Sequence, residues 1–331
     1  MVRAFLLAIA LLAPRTGIGY GQSTEPPSNL TAIVHAMETH TAGRDAQWLL
    51  ELSNVVSAST LADIKQNLPS IVALSESSDP QLRGNALLIL YGIAARQQTG
   101  LPENRRAMDP AGAELIVPYI TRLAPRLTDD DTPCRSLSLL LFQTLTIIRP
   151  TPPELLTAAL RVLQDQQSTQ QTTDTTNKSP DRRAPSVGPQ MLWVIIPAGA
   201  TFQRDPGTGI TEGSDSLEVQ QAIVTFLRRS DQTTESLSES IRAIALAQAQ
   251  NPKVNSALLH LLDSTDTTVV AALLRQLPRL IFTAQDFSSA KDRVLQLAGD
   301  PHCPLEVRDA AKVILPCWVN DRHKGLCPMG S

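Results

Sequence analysis

Asp79-Pro80-Gln81-Leu82-Arg83-Gly84-Asn85-Ala86-Leu87-Leu88-Ile89-Leu90-Tyr91-Gly92-Ile93 both opens a helix and supplies its apolar body. An Asp side chain accepts hydrogen bonds from the free N–H groups at a helix start. Proline at the next position pre-sets the first helical φ. Leu87, Leu88, Leu90, Tyr91 and Ile93 then recur at three- and four-residue spacing, the helical period rather than the strand period. A stripe this broad predicts burial on more than one side.

The unit returns along the chain. Asp300-Pro301 leads to Leu305-Glu306-Val307-Arg308 and Ala310-Ala311. Looser copies begin at Asp131 (with Pro133 and Arg135), at Asp215 (Leu217-Glu218-Val219, then Ala222), at Asn251 (Val254) and at Asp266 (Val269-Val270, then Ala271-Ala272). Each lies at a turn directly before an apolar helix, and the small Ala lets a neighbouring helix approach. Further stripes run through Leu137, Leu141 and Leu145, through Leu155, Leu160 and Leu163, and through Val219, Ile223 and Phe226. Alternating strand patterns are nearly absent; the one β-like stretch is Trp193-Val194-Ile195-Ile196, ended by Pro197. A repeated helix-turn-helix unit cannot bury its apolar face alone and must stack on its neighbours.

The Asp-Pro-x-(Leu/Val)-Arg-x-x-Ala pattern resembles the inter-helix turn and second helix of HEAT-like repeats, over 79–96, 131–148, 251–279 and 300–316 and more loosely over 28–318. The resemblance implies an all-α fold, an α-solenoid of antiparallel helix pairs of the HEAT-like or armadillo-like kind, with an extended face for partner contact. It implies no reaction.

Composition agrees. Of 331 residues, 42% are hydrophobic and 18% charged, which excludes wholesale disorder. Aromatics are only 4%, so the core is built from Leu, Ile, Val and Ala. A net charge of −3 gives no bulk electrostatic reason to bind nucleic acid. At the N-terminus, Met1-Val2-Arg3 precedes an apolar run from Ala4 to Ala13, broken by Pro14, and Gly19 and Gly21 place small side chains just ahead of Gln22. Residues 1–21 therefore read as a secretory signal. The run is shorter than the roughly 20 residues a bilayer span needs. The expectation is a secreted or periplasmic protein with no membrane insertion once the signal is removed.

The expected organisation is signal (1–21), N-terminal helical repeats (22–163), an insertion with an ordered loop (164–213), C-terminal helical repeats (214–318) and a tail (319–331). From Gln164 to Gln190 the chain is rich in Gln, Thr and Ser and reads as a flexible surface insertion. Met191 to Gly213 reads as a short hairpin or ordered loop. It serves either as a plug over apolar surface or as a partner-binding element through Trp193, Ile195, Ile196 and Phe202.

Motifs of chemistry are few, and no cofactor or metal is implied. Gly207-Thr208-Gly209 with Gly213 lacks the spacing of a phosphate loop and reads as a turn. His35 and His40 are out of phase on a helix and form no i,i+4 metal pair. Asp129-Asp130-Asp131 lacks the Gly and distal Glu of a calcium loop and reads as helix capping. Cys134 reads as a buried thiol. If one helix follows Pro304, Cys303 and Cys317 lie about 20 Å apart at its ends and cannot bridge. A Cys317–Cys327 disulfide is preferred in an oxidising compartment, with Cys303–Cys327 as the alternative. A zinc cluster of His302, Cys303, Cys317, His323 and Cys327 is the weaker reading, because no Cys-x-x-Cys knuckle is present. Asn29-Leu30-Thr31 and Asn177-Lys178-Ser179 match glycosylation sequons.

Two function classes remain. The first is a non-catalytic scaffold that binds a protein, peptide or envelope component along its inner surface. The second is a hydrolase or lyase, or a subunit of one, with a site scattered across the helical groove.

Overall fold

A computed structural model describes residues 29–39, 46–97, 108–148, 151–165, 187–198, 217–229, 232–246, 252–280 and 284–319. The chain divides into two compact units, Met1–Ala158 and Ala159–Ser331. Among the described residues the secondary structure is helical, apart from one isolated antiparallel bridge between Gln97 and Met108.

The first unit contains α1 (Leu30–Glu38), α2 (Ala46–Ala58), α3 (Leu61–Leu74), α4 (Pro80–Ala94), α5 (Pro110–Ile116), α6 (Ile120–Leu123) and α7 (Thr132–Leu145). Helix α8 (Pro153–Asp165) carries the boundary between units. Helices α1, α3 and α5 pack in one row and α2, α4 and α7 in a second, with the short α6 set between α5 and α7 along the chain. Contacts between the rows, α1 with α2 and α3 and α5 with α4, close the helix pairs. Such a next-but-one ladder is what stacked helix pairs produce.

The sequence reasons for these helices are local. Asp79, Asp109 and Asp131 cap α4, α5 and α7, accepting from the N–H of Gln81, Ala111 and Cys134, and each helix carries Pro in its first turn. Thr60 and Asp63 form a reciprocal capping box on α3. Helix α4 is buried almost from end to end, including Arg83 and Asn85, as its wide apolar stripe requires.

The second unit contains α9 (Val187–Ala198), α10 (Leu217–Leu227), α11 (Thr234–Leu246), α12 (Pro252–Leu259), α13 (Thr267–Gln276), α14 (Ala284–Gly299) and α15 (Leu305–Val319). Here α9, α11, α13 and α15 stack in one row, α10 packs on α12, and α14 pairs with α15. The four-helix row packs more closely than the other. Polar rungs tie neighbouring repeats: the Thr234 hydroxyl donates to Asp266, the Ser256 hydroxyl to Asp286, and Arg293 pairs with Asp263 at 2.8 Å.

Three sequence expectations change. Trp193-Val194-Ile195-Ile196 is not a hairpin or loop but the middle of α9, with Ile195 and Ile196 buried in the helix row. A short apolar run has no period that separates strand from helix, and tertiary stacking decided it. The helix begins at Val187, so the polar insertion yields to regular structure before Gln190; Phe202 lies outside the described residues. Finally, Asp300 does not cap α15. Its carboxylate accepts from His302 N at 2.8 Å and its carbonyl from Cys303 N, making a separate turn ahead of the helix.

Candidate functional site

The densest polar cluster lies in the first unit and is built around Asp129. Its side chain, 2% exposed, accepts from Arg83 Nη2 at 2.9 Å, from Arg126 Nη1 at 2.9 Å and from the backbone N–H of Asp131 at 3.0 Å. Arg83 also donates to the carbonyls of Ser77 and Ser78, and Arg135 donates to the carbonyl of Asp129 at 2.7 Å. Burial is the largest single influence and raises the cost of ionising Asp129, but the Arg83 hydrogen bond, the Asp131 N–H and the Arg83 and Arg126 charges together outweigh it and hold the carboxyl below its ordinary range. Burial likewise works most strongly against the Arg83 charge, and the hydrogen bond and charge of Asp129 together with Cys134 more than offset it and raise its pKa. These bonds clamp α4 to the turn before α7. Of the acidic run, Asp131 alone caps a helix through its side chain, as expected.

The nucleophile search ends similarly. Cys134 is buried, its thiol donates to the Pro80 carbonyl at 3.3 Å, and burial pushes its pKa up to about 12. A thiol of that kind is an inert core residue. His35 is exposed on α1, and His40 lies outside the described residues. Among the described residues no three His, Cys, Asp or Glu side chains gather closely enough to hold a metal. Cys303 is a free, half-exposed thiol before α15. Helix α15 runs past Cys317, which keeps Cys303 and Cys317 at opposite ends, while the Cys317 side chain, His323 and Cys327 lie outside the described residues.

A cavity of about 170 Å³ sits between the end of α8 and α10, bounded by Leu163, Phe226, Glu218 and Arg229. The Arg229 guanidinium lies 5.9 Å from the centre of the Phe226 ring. Ligand sites for drug-sized molecules occupy roughly 300–1,000 Å³, so this cleft is too small for one and has room only for a small fragment.

The feature with functional content is the outer stripe of the four-helix row in the second unit. On α11 the exposed positions are Glu235, Glu239 and Arg242; on α13 they include Thr268 and Arg275, with Ala272 half-exposed between them; on α15 they include Leu305, Asp309 and Lys312. The same i, i+4, i+7 spacing recurs, so Arg242, Arg275 and Lys312 hold the same place in the pattern on three helices of the row. Gln190 and Trp193 are the half-exposed positions of α9 in the same row. Carboxylates interleave with the cations. Arg275 Nη2 pairs with Glu306 at 2.9 Å, both more than half exposed. Desolvation raises the Glu239 carboxyl above its ordinary value, while Arg242 pulls the other way. Trp193 was singled out in the sequence, though as part of a loop. The cationic positions were not, because they are spread over three repeats.

No family model matches the chain, and no curated protein matches it. Among solved structures it is similar to an engineered protein at 16% identity over 93% of this chain, with a TM-score of 0.36; the chain spans 66% of that protein's length. It is similar to a designed armadillo repeat protein in complex with the peptide (KR)4 at 13% identity, covering 89% of this chain and 100% of that one, with a TM-score of 0.34. A second designed armadillo repeat protein gives 12% identity over 94% and 98% of the two chains, with a TM-score of 0.30. The repeat architecture itself rests on the helix ladders and polar rungs described above.

Proposed function

We propose that this chain is an exported, non-catalytic helical-repeat scaffold that binds a protein or extended peptide along the outer stripe of α9, α11, α13 and α15. The observation that carries the reading is the mix of exposed cations and carboxylates at i, i+4, i+7 positions of α11, α13 and α15, with a half-exposed Trp193 on α9 of the same row. A regularly spaced row of this kind reads an extended chain one segment per repeat. Mixed sign suits a peptide bearing both charges better than a polyanion, and the overall charge of −3 points the same way. Aromatic and arginine side chains are the residues that most often anchor protein partners.

The test is selection of binders from a random peptide library on the immobilised full chain, repeated with Arg242→Glu plus Arg275→Glu. Selected peptides are expected to bind the double variant at least tenfold more weakly while its helical circular dichroism is unchanged. Peptides that bind both forms equally place the binding face elsewhere. For export, N-terminal sequencing of protein recovered from the culture fluid or periplasm is expected to begin at Gln22; an intact Met1 in that material defeats the exported part of the reading.

A further inference from the structure

Arg275 differs from the other two cations of the outer stripe in how its charge is met. Three residues before Arg242 stands Glu239, and three residues before Lys312 stands Asp309. Residues three apart are neighbours on a helix surface, so α11 and α15 each carry a carboxylate beside their own cation. On α13 that position is Ala272, small and half-exposed. Arg275 is met instead from the next helix of the row, where its Nη2 donates to Glu306 Oε1 at 2.9 Å. Among the described residues this is its one hydrogen bond, although a guanidinium carries five N–H donors. The two side chains are 58% and 51% exposed.

The exposed pair of the first unit is built differently. Arg122 holds Glu76 with two parallel bonds, Nε to Oε1 at 2.9 Å and Nη2 to Oε2 at 2.7 Å. A fork engaged twice is closed. A fork engaged once, in water, is loosely held and adds little stability. Glu306 also has a reason of its own to stand where it does, because an acidic side chain in the first turn of α15 meets the positive end of the helix dipole. Its contact with Arg275 can therefore open without undoing the helix start.

We propose that Arg275 is the carboxylate anchor of the partner-binding stripe, and that Glu306 is a built-in competitor occupying it in the free protein. The inference rests on the reading that this stripe binds a peptide, and it adds the residue type read at α13. An Asp or Glu of the partner settles over Ala272, takes the guanidinium fork with two bonds, and releases Glu306 to solvent. Because only the open fraction of Arg275 receives the partner, Glu306 weakens every acidic ligand and leaves ligands without a carboxylate unaffected.

The experiment has one arm without a partner and one with. In the free full chain, hydrogen exchange at the Nε–H of Arg275 is expected to be at least fivefold faster than at that of Arg122; equal protection makes the pair a closed structural rung and overturns the proposal. In the second arm, peptides are selected from a random library on the immobilised full chain. They are expected to share an Asp or Glu whose change to Asn or Gln weakens binding at least tenfold. Glu306→Gln is expected to tighten the acidic peptides at least threefold, with no gain for their amide versions and none when Arg275→Gln is also present. A structural rung moves the urea midpoint on Glu306→Gln but not the affinity, and that result overturns the proposal. So does weaker binding to Glu306→Gln, which makes Glu306 a partner contact in its own right. Peptides that need Arg242 but ignore Arg275 and Glu306 overturn this inference and leave the peptide-binding reading standing; a library that yields no binder overturns both.

Discussion

Asp129 shows how one side chain joins two repeats. Arg83 and Arg126 both pair with it, and removing the carboxylate leaves the buried Arg83 and the half-buried Arg126 without their partner. Breaking a buried pair from one side costs about 3–5 kcal/mol, whereas replacing the pair with apolar residues of similar volume is often neutral. Asp129→Ala is accordingly expected to lower the unfolding free energy by about 3–5 kcal/mol in a urea titration, and Asp129→Leu with Arg83→Met to recover much of that loss. The same chemistry sets the acid limit. The Arg122 hydrogen bond lowers Glu76, the Thr234 hydroxyl lowers Asp266, and Asp129 is lowered against the cost of its burial. A carboxylate depressed in the fold binds fewer protons there than in the unfolded chain. Stability is therefore full above the ordinary carboxylate range, about pH 4, and falls as the pH drops through and below it. Glu239, raised by desolvation, opposes this weakly. Thermal melts from pH 7 to pH 3 are expected to show the decline, and Asp129→Asn to flatten it from a lower starting point.

Helix starts divide into those that cap and those that only look alike. Asp109-Pro110 repeats the dipeptide of Asp79-Pro80, and both aspartates accept from the helix N–H two residues on. Asp300-Pro301 carries the same dipeptide but turns the chain four residues before α15 begins. Replacing Asp79 or Asp109 by Ala should each cost about 1 kcal/mol, read from the denaturation midpoint, and Asp300→Ala clearly less. Equal costs at all three positions contradict the structural distinction. Gly112 sets the approach of α5 to the end of α4. A Cβ there meets the Ile93 carbonyl oxygen at 2.3 Å, backbone that has no rotamer to yield. Gly112→Ala is thus expected to destabilise by about 1–3 kcal/mol through overpacking, although Ala ordinarily favours a helix.

Over the whole chain, the two units should separate at the level of proteolysis. The polar stretch 166–186 contains Lys178, Arg182 and Arg183, whereas α9 from Val187 is buried in its row. Brief trypsin digestion is expected to cut at those three residues first and to leave two large fragments divided between 178 and 184; early cuts within α4 or α13 would contradict the ladder description. What the sequence alone determined is local: the starts of α4 and α7, the apolar stripe of α4, the buried Cys134 thiol and the repeating helical unit. Capping and the helical period act within one or two turns, so a single stretch contains all the information they need. Tertiary structure decided the rest. Trp193-Val194-Ile195-Ile196 became helix because the row beside α11 demanded one. Arg83 found Asp129 at a separation of 46 residues. Arg275 found Glu306 on the next helix of the row at a separation of 31 residues. Those outcomes depend on pairing between repeats distant in the chain, and the spacing of residues within one repeat carries no record of which neighbour it meets.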